Sequence, residues 1–598
     1  MANIINIGND GFASARRSEY VDKSGLIGFV NRTLCSEDKF ICVTRARRFG
    51  KSMAAKMLNA YYDESCNSDS LFRDLKIAGD PTYSIHLNKY PVIFLDMTFF
   101  TTTCKHQDEM VEWIEQWVKA DLHKVYPEVS VDNDLPLISF LLALAEHHGK
   151  RFIMIIDEWD AVCREVSDKP ELMHRYVDWL RSMFKGSVTD RVFAGVYMTG
   201  ILPIKQYDTQ SALNNFTHYS VLDPEPLQGY FGFTEEEVES LCEKNGLDYL
   251  QMAQWYDGYE VAGLHIFNPN SVMKAVHKRT FSNYWMQTGA YEGLKRYITM
   301  NFDGLRDAVV SLLGNVPVKV ELLRSPDNLN VVEGRDSVLS TLVHLGYLTY
   351  NRDSQTVRIP NYEVKREFEE VVRDSHWTFL SDAIGQSDRL LQDTLEGNEP
   401  AVAKAIGKVH EDNTSIIKYN DENSLSCVLS LAYYAAQNEY VMVREMPAGK
   451  GFADLVLVPR RNVSKPALVL ELKWNKTAEA AIKQIKERNY VQSLGDYAGE
   501  IILVAVNYDK RKKIHNCSIE RISKTQGVHK EYSRSRKQQE ILAYCSEPRS
   551  LEEIALYMRV TDKYYMKRKH INPMLGIDLF MTDPDAPNSP TQRYYRKE

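Results

Sequence analysis

The sequence predicts an α/β multidomain chain: a doubly wound parallel-sheet domain in the N-terminal half, a helical linker, a second α/β domain, and a small C-terminal unit of helices and a hairpin. Three observations predict it. Phe40-Ile41-Cys42-Val43 is a short apolar strand that leads through a loop into Gly50-Lys51-Ser52 and a helix pattern over residues 53–62. Residues 152–156 form another apolar strand, ending on Asp157-Glu158, while residues 92–96 and 192–198 add strands to a parallel sheet. Far downstream, residues 453–458 and 468–473 are two apolar strands carrying Asp454, Glu471 and Lys473. At 598 residues the chain exceeds a single core, and about three or four domains are expected.

Whole-chain properties narrow the class. Hydrophobic residues make up 44% and charged residues 26%, an ordinary globular balance. The formal net charge of −8 carries no global nucleic-acid signature, so any such contact has to use local patches. The nine cysteines are odd in number and scattered, without CxxC or Cys/His metal spacing, as expected for reduced thiols in the cytosol. Residues 1–10 lack a basic flank and an apolar leader core, and no apolar run is long enough to span a bilayer. The expectation is a soluble, cytoplasmic protein with no membrane partner.

Strand, loop, Gly-Lys-Ser, helix is the context in which backbone N–H groups and a helix N-terminus cradle phosphates. There Gly50 closes the loop, Lys51 reaches the β- and γ-phosphates of ATP, and Ser52 ligates Mg²⁺. Arg45 stands where the first Gly of G-x-x-x-x-G-K-[ST] falls. Arg47 and Arg48 are candidates for bidentate phosphate contact, or else solvated loop charges. The strand ending in Asp157-Glu158 supplies the other half of an ATP site, with Asp157 for the metal and Glu158 to polarise the attacking water. The plainer alternative is a buried strand whose Asp caps the next helix. Thr199, at the end of the 192–198 strand, is the candidate polar sensor of the γ-phosphate.

A longer series of motifs runs through the same half. It comprises Tyr20-Val21-Asp22-Lys23, Arg47-Arg48-Phe49-Gly50-Lys51-Ser52, Ile156-Asp157-Glu158-Trp159-Asp160, Thr199-Gly200-Ile201 and Leu213-Asn214-Asn215-Phe216. Phe231-Gly232-Phe233-Thr234, Trp255-Tyr256-Asp257-Gly258-Tyr259, Phe267-Asn268-Pro269 and Tyr284-Trp285 follow. The series resembles the bacterial AAA-ATPase-like family, whose members commonly carry a C-terminal PD-(D/E)XK nuclease domain. The resemblance implies a P-loop (AAA/ASCE-type) parallel-sheet ATPase domain, ATP as cofactor, and a linked nuclease; an Arg-rich phosphate loop without its first Gly is normal for it. The aromatic cluster around Asp257-Gly258 reads as a packed turn rather than a base contact.

Residues 291–370 are mostly amphipathic and helical, a lid or linker coupling the two halves, or a plain spacer. Residues 338–350 read as a helix turning at Gly346 into a strand, and residues 359–364 as an extended piece.

In the second α/β domain, residues 422–437 read as a helix and 440–445 as a first strand. Because strand side chains alternate, Glu471 and Lys473 share a face. Charged groups inside apolar strands are costly unless paired or metal-bound. Two carboxylates converging from adjacent strands, Asp454 and Glu471, suit a hard cation such as Mg²⁺ (or Mn²⁺), and the lysine beside them would hold a water or stabilise a phosphate. The bland alternative is a hairpin with a solvated Glu–Lys pair. These residues resemble the PD-(D/E)XK nuclease superfamily, with Asp454 as the D and Glu471-Leu472-Lys473 as EXK. That resemblance implies a restriction-endonuclease-like α/β domain with Gln484 on the following helix, residues 478–489, and Glu422 as an early acidic residue. Glu445 is a further candidate ligand, or a surface partner of Arg444. Residues 501–506 read as the last core strand; the basic run Lys510-Arg511-Lys512-Lys513 could grip a phosphate backbone or be a solvated loop.

At the C-terminus, residues 536–545 form a helix, Ser550-Leu551-Glu552-Glu553 is a capping box opening a second, and residues 563–574 have helical spacing up to Pro573. A hairpin over 579–582 and 592–595 completes a winged helix-turn-helix pattern. Its third helix carries Lys567, Arg568 and Lys569, the charge a groove-reading helix needs, although winged helices also dock proteins.

The expected domains are 1–290 (ATPase), 291–410 (helical linker), 411–527 (nuclease-like) and 528–598 (winged helix). The expected function is an ATP-regulated, metal-dependent nuclease acting on DNA, with ATP gating assembly or cleavage. Such an organisation would suit defence against foreign nucleic acid, and ATPases of this broad class often form homo-oligomers. The alternative is a nucleotide-controlled signalling or assembly platform whose nuclease-like domain only binds nucleic acid or a protein; the intact Asp454–Glu471–Lys473 set weighs against it.

Overall fold

A sheet covered by helices on both faces needs strands that are apolar on both sides. In the computed structural model, β1 (Phe40–Thr44), β3 (Phe152–Asp157) and β4 (Phe193–Gly200) are buried along their whole length. With β2 (Val92–Asp96) and β5 (Thr217–Tyr219) they form one sheet in the order β2-β3-β4-β1-β5, every pairing parallel. Residues 4–596 are described apart from 130, 166–168, 204–212, 286–289, 301, 322–333, 375–377, 413–428, 430–431, 449–450, 460–462, 475–498, 510–513, 523–535, 559–565, 568–570, 572–573, 575–578 and 583–591.

Strand alternation divides the core. Phe40 and Cys42, with Phe152, Met154 and Ile156, pack with the helices Met110–Val125, Leu137–His148 and Pro170–Phe184. Ile41, Val43, Ile153 and Ile155 pack with Gly25–Thr33 and Lys51–Tyr62. Fully burying each large apolar side chain contributes about 1.5–3 kcal/mol, so both layers are firmly attached.

A small antiparallel sheet follows: β6 (Phe233–Thr234), β7 (Tyr259–Val261) and β8 (Leu264–Phe267), in the order β6-β8-β7. The aromatic turn between helix Tyr249–Tyr256 and β7 is packed: Tyr256 is fully buried and Trp255 meets Tyr362 edge-on at 4.7 Å. Gly258 sits at φ +109, and a Cβ there would lie 1.9 Å from the Pro360 carbonyl oxygen. Gly258→Ala should therefore lower the melting temperature of the full chain, with a loss of about 2 kcal/mol or more on denaturant titration.

The stretch expected to be a linker has its own core. Helices Ala290–Ile298, Leu305–Leu313 and Arg335–Leu345 pack with β9 (Val318–Lys319), β10 (Thr349–Asn351) and β11 (Thr356–Arg358), in the sheet order β10-β11-β9. Helix Arg335–Leu345 does turn at Gly346, at φ +85, into β10. The expected extended piece over 359–364 is corrected: a helix begins at Tyr362 and runs to Asp374. The amphipathic helical reading of the segment holds from there on, with Val364, Phe368, Val371 and Val372 inward.

A five-stranded mixed sheet follows, in the order β12-β13-β14-β15-β16: β12 (Tyr440–Ala448), β13 (Gly451–Pro459), β14 (Ala467–Trp474), β15 (Ile501–Asp509) and β16 (Ile514–Ile522). Only β14 and β15 run parallel. Residues 501–506 of β15 are fully buried, the last core strand as the sequence led us to expect, and β16 pairs beyond it along its whole length. β16 is a half-exposed edge with polar residues on both faces, so it lacks the apolar run that marked its neighbours. Leu390, Leu391, Val402, Ile406 and Val409, from helices Thr378–Glu396 and Glu399–Asp412, join this sheet's core.

The chain divides into two units, Met1–Ile522 and Ser523–Glu598. The second has helices Arg536–Tyr544 and Leu551–Tyr557 and strands β17 (Arg549–Ser550), β18 (Leu579–Met581) and β19 (Arg593–Arg596), in the order β17-β19-β18. Ser550 and Glu553 form the expected capping box. Of the basic third-helix set, Lys567 is half-buried, while Arg568 and Lys569 lie outside the described residues. No helix among the described residues is long and apolar enough to cross a membrane.

Candidate functional site

In an open parallel sheet, ligands gather beyond the carboxyl ends of the strands. There the sheet order sets β4 between the strand of the phosphate loop and the strand of Asp157. β1 pairs Val43 with Thr199, and β3 pairs Ile156 with Met198, so Thr199 lies between the two halves. Gly50, at φ +89, caps helix Lys51–Tyr62. Lys51 is 3% exposed and donates to the carbonyls of Arg45 and Ala46 at 3.0 and 3.1 Å. Its Nζ lies 3.6 Å from Glu158.

The acidic side is tightly tied. The hydroxyls of Ser52 and Thr199 both donate to the Asp157 carboxylate. Thr199 Oγ1 also accepts from the Glu158 backbone N–H at 3.1 Å. Glu158, at φ +56, pairs with Lys51 and with Arg164; Arg164 also reaches Asp160 at 3.1 Å. Asp160 is wholly buried and accepts from the amides of Ile201 and Leu202. Burial pushes the Lys51 ammonium pKa down and the Asp157 carboxyl pKa up, so each favours a charged partner from outside. Arg164 escaped the sequence reading; its signal is the Asp–Arg spacing of one helical turn from Asp160.

The loop arginines take different roles. Arg45, 3% exposed, folds back onto the carbonyls of Thr44 and Tyr219 at 2.8 and 2.9 Å. Arg47 is exposed. Arg48, at φ +71, donates to the carbonyls of Tyr284 and Trp285, at 3.4 and 3.2 Å, and lies over the Trp285 ring at 5.2 Å.

Glu363 anchors that segment. Wholly buried, it accepts from Ser271 Oγ at 2.8 Å and from the amides of Tyr284 and Trp285 at 2.6 and 2.9 Å. Burial nonetheless pushes its carboxyl from 4.5 to about 7. A raised carboxyl binds protons more tightly in the folded state. Its stabilising contribution is full below about pH 4.5 and is lost as pH rises through about 7. We expect the melting temperature to fall over that window and the slope to flatten in Glu363→Gln, a difference of up to about 3 kcal/mol. Glu367, also pushed to about 7 by burial, keeps part of the slope in that variant.

In the mixed sheet, β13 and β14 pair Leu455 with Leu470, and the same register continued by one residue sets position 454 opposite 471. Glu471 is 1% exposed, a carboxylate following the buried apolar run 467–470 of the same strand. Position 473 pairs with Asn507 of β15, itself 4% exposed. Asn507 was missed in sequence; a polar residue after the apolar run 501–506 is its only signal. Gln484, Glu422 and the basic run 510–513 lie outside the described residues. Among the described residues no group of three or more His, Cys, Asp or Glu could hold a metal.

Fold and site together define a class: an ATPase-like domain with its phosphate loop on a parallel sheet, joined to a mixed-sheet domain with charged residues set into its central strands. Residues 6–209 match the family described as Predicted AAA-ATPase, and residues 420–517 match the PD-(D/E)XK nuclease superfamily. The chain is a fusion of an AAA-ATPase-like domain and a PD-(D/E)XK superfamily domain. An uncharacterized protein in the vnfD 5′ region of Azotobacter chroococcum is 24% identical over 385 residues, covering 62% of this chain and 69% of its own. The Aeropyrum pernix ORC2 protein, in ADPNP–ADP complexes, aligns with 61% of this chain and 97% of its own at 12% identity and a TM-score of 0.29. PCH-2 of C. elegans aligns with 58% and 67%, at 12% identity and a TM-score of 0.18.

Proposed function

We propose that this protein binds and hydrolyses ATP at the carboxyl end of the parallel sheet and cleaves DNA by metal-dependent phosphodiester hydrolysis in the mixed sheet, the first site gating the second. The observation that carries the reading is the convergence of Lys51 and Ser52, which open the helix after β1, with Asp157 and Glu158 at the end of β3 and Thr199 on β4, at one sheet end. Lys51 would exchange the loop carbonyls for phosphate oxygens, with Gly50 and the helix N-terminus supplying amides, and exposed Arg47 is the loop's free arginine for phosphate. The Ser52 hydroxyl against the Asp157 carboxylate is an oxygen pair that fits Mg²⁺. Glu158, once parted from Lys51, would orient the attacking water, and Thr199 would hold Asp157 in place.

In the second domain, Asp454 and Glu471 would hold Mg²⁺ or Mn²⁺, whose chemistry is to activate a water and neutralise charge on the phosphate. Lys473 would orient that water, with Gln484 in support. Lys567, Arg568 and Lys569 of a C-terminal winged helix would add contacts to the DNA backbone. The test is cleavage of circular DNA, linear DNA and RNA by the purified chain with Mg²⁺ or Mn²⁺, with and without ATP. Metal-dependent cutting that disappears in Glu471→Ala and changes its ATP response in Lys51→Ala supports the reading. Cutting that persists in Glu471→Ala sinks it.

A further inference from the structure

We propose that helix Tyr362–Asp374 is the transmission between the two sites, one face holding the phosphate loop and the other the entry to the nuclease-like sheet. The inference rests on the ATP reading of the first site and adds the route by which that site acts. The helix buries four charged residues: Glu363, Lys365, Glu367 and Glu369 are at most 6% exposed. A mere spacer would fill those positions with apolar side chains, since buried charges are costly unless they hold something in place.

Helical geometry sends the four charges to two sides, because residues two apart differ by about 200°. Glu363 and Glu367 face residues 283–285: Glu363 takes the amides of Tyr284 and Trp285, and Glu367 accepts from Asn283 at 3.2 Å. Arg48 of the phosphate loop grips the carbonyls of the same two residues. The loop is seated from further sides. Phe49 meets Tyr259 edge-on at 4.9 Å, Tyr259 donates to the Gly346 carbonyl at 2.8 Å, and a Cβ on Gly346 would lie 2.5 Å from that of Ala46. Lys365 and Glu369 look the other way. Glu369 accepts from the Tyr434 hydroxyl, and Lys365 Nζ lies 4.6 Å from the Tyr434 ring centroid while donating to Asn315 at 3.0 Å. Tyr434 opens the short helix Tyr434–Asn438, which leads directly into β12.

Arg48 is the movable end. Its φ of +71 is a conformation that non-glycine residues rarely hold without a reason. Phosphates entering the loop compete with two main-chain carbonyls for its guanidinium, and charge favours the phosphates. Withdrawal of Arg48 releases residues 284–285, the rigid helix shifts on its Glu363 anchor, and Tyr434 moves with it. The motif residues Tyr259, Tyr284 and Trp285, which have no part in the chemistry, thereby acquire a role as the clasp on the loop.

The experiment is hydrogen–deuterium exchange on the full chain, with and without Mg²⁺ and adenylyl-imidodiphosphate, alongside direct measurement of nucleotide binding and of melting temperature. In the wild type and in Lys473→Ala, nucleotide should change exchange in peptides spanning 362–374 and 434–448. In Tyr434→Phe, nucleotide should still bind and still alter 362–374, but the response of 434–448 should be lost. Glu363→Gln should lose both responses; should it fail to fold, Tyr434→Phe decides alone. Nucleotide binding without any change in 434–448 of the wild type overturns the transmission while leaving the ATP site standing. Absence of nucleotide binding overturns the site reading, and the transmission with it.

Discussion

Lys473→Ala and Glu471→Gln should each reduce metal-dependent DNA cleavage by about a hundredfold or more while leaving ATP binding unchanged. Glu471 sits 1% exposed in the middle of the sheet, between the buried apolar runs 455–457 of β13 and 501–506 of β15. Burying a carboxylate costs several kcal/mol unless a cation or a hydrogen-bond network compensates, so its retention there needs a reason. The register sets position 454 opposite it on β13, and Asn507 of β15 opposite position 473, two residues further along β14. Glu471→Gln keeps the volume and removes the charge, so packing survives while the carboxylate proposed to hold the cation is lost. Lys473→Ala instead leaves both carboxylates and removes the ammonium. If Glu471 and Lys473 were only a structural ion pair, both variants would lower the melting temperature and cleavage would survive in whatever fraction stays folded. The measurement is initial rate against Mg²⁺ concentration: a weakened metal site raises the Mg²⁺ requirement in Glu471→Gln, and loss of the lysine lowers the plateau without moving the midpoint.

Much of this architecture is readable in the residues, and the exceptions have physical causes. β1 to β4, β13 and β14 announce themselves because strands buried on both faces are near-continuous apolar runs. β5 and β16 lack that signal: the first is three residues long and half-buried, and the second is an edge with polar residues on both faces. Only the start of helix Tyr362–Asp374 was misread, as an extended piece; the burial of Glu363, Lys365, Glu367 and Glu369 was not legible, because they look like solvated charges, whereas each is buried against a partner more than twenty residues away. Arg48 illustrates the same limit. Composition places it in a phosphate loop, but its actual partners, Tyr284 and Trp285, come from a distant segment that only the fold brings near. Asp454, Glu471 and Lys473 stand out in the sequence because charges inside apolar runs are conspicuous; Asn507 does not, because one asparagine at a strand end is commonplace.

Glu158→Gln should leave ATP binding intact and lower hydrolysis by about 10²–10⁴-fold, the usual worth of a positioned general base. In the structure both carboxylate oxygens of Glu158 are engaged, one near Lys51 and one by Arg164. On the proposed ATP reading that would be a resting arrangement, with Lys51 beside Glu158 and neither yet engaged with phosphate or water. Incoming phosphates would draw Lys51 away, and Glu158 would keep only Arg164, itself fixed by buried Asp160 and through it by the amides of Ile201 and Leu202. Arg164 thus sets the direction of the freed carboxylate. Glutamine retains a carbonyl oxygen for Arg164 but cannot take a proton, so the geometry persists and the chemistry stops. Removing Glu158's charge also relieves Lys51 of a competing partner, and nucleotide should bind Glu158→Gln at least as tightly as the wild type. Lys51→Ala should behave in the opposite way, losing binding first. Equal loss of binding in both variants would mean that Glu158 shapes the loop rather than acting on water, and hydrolysis would have to be assigned elsewhere.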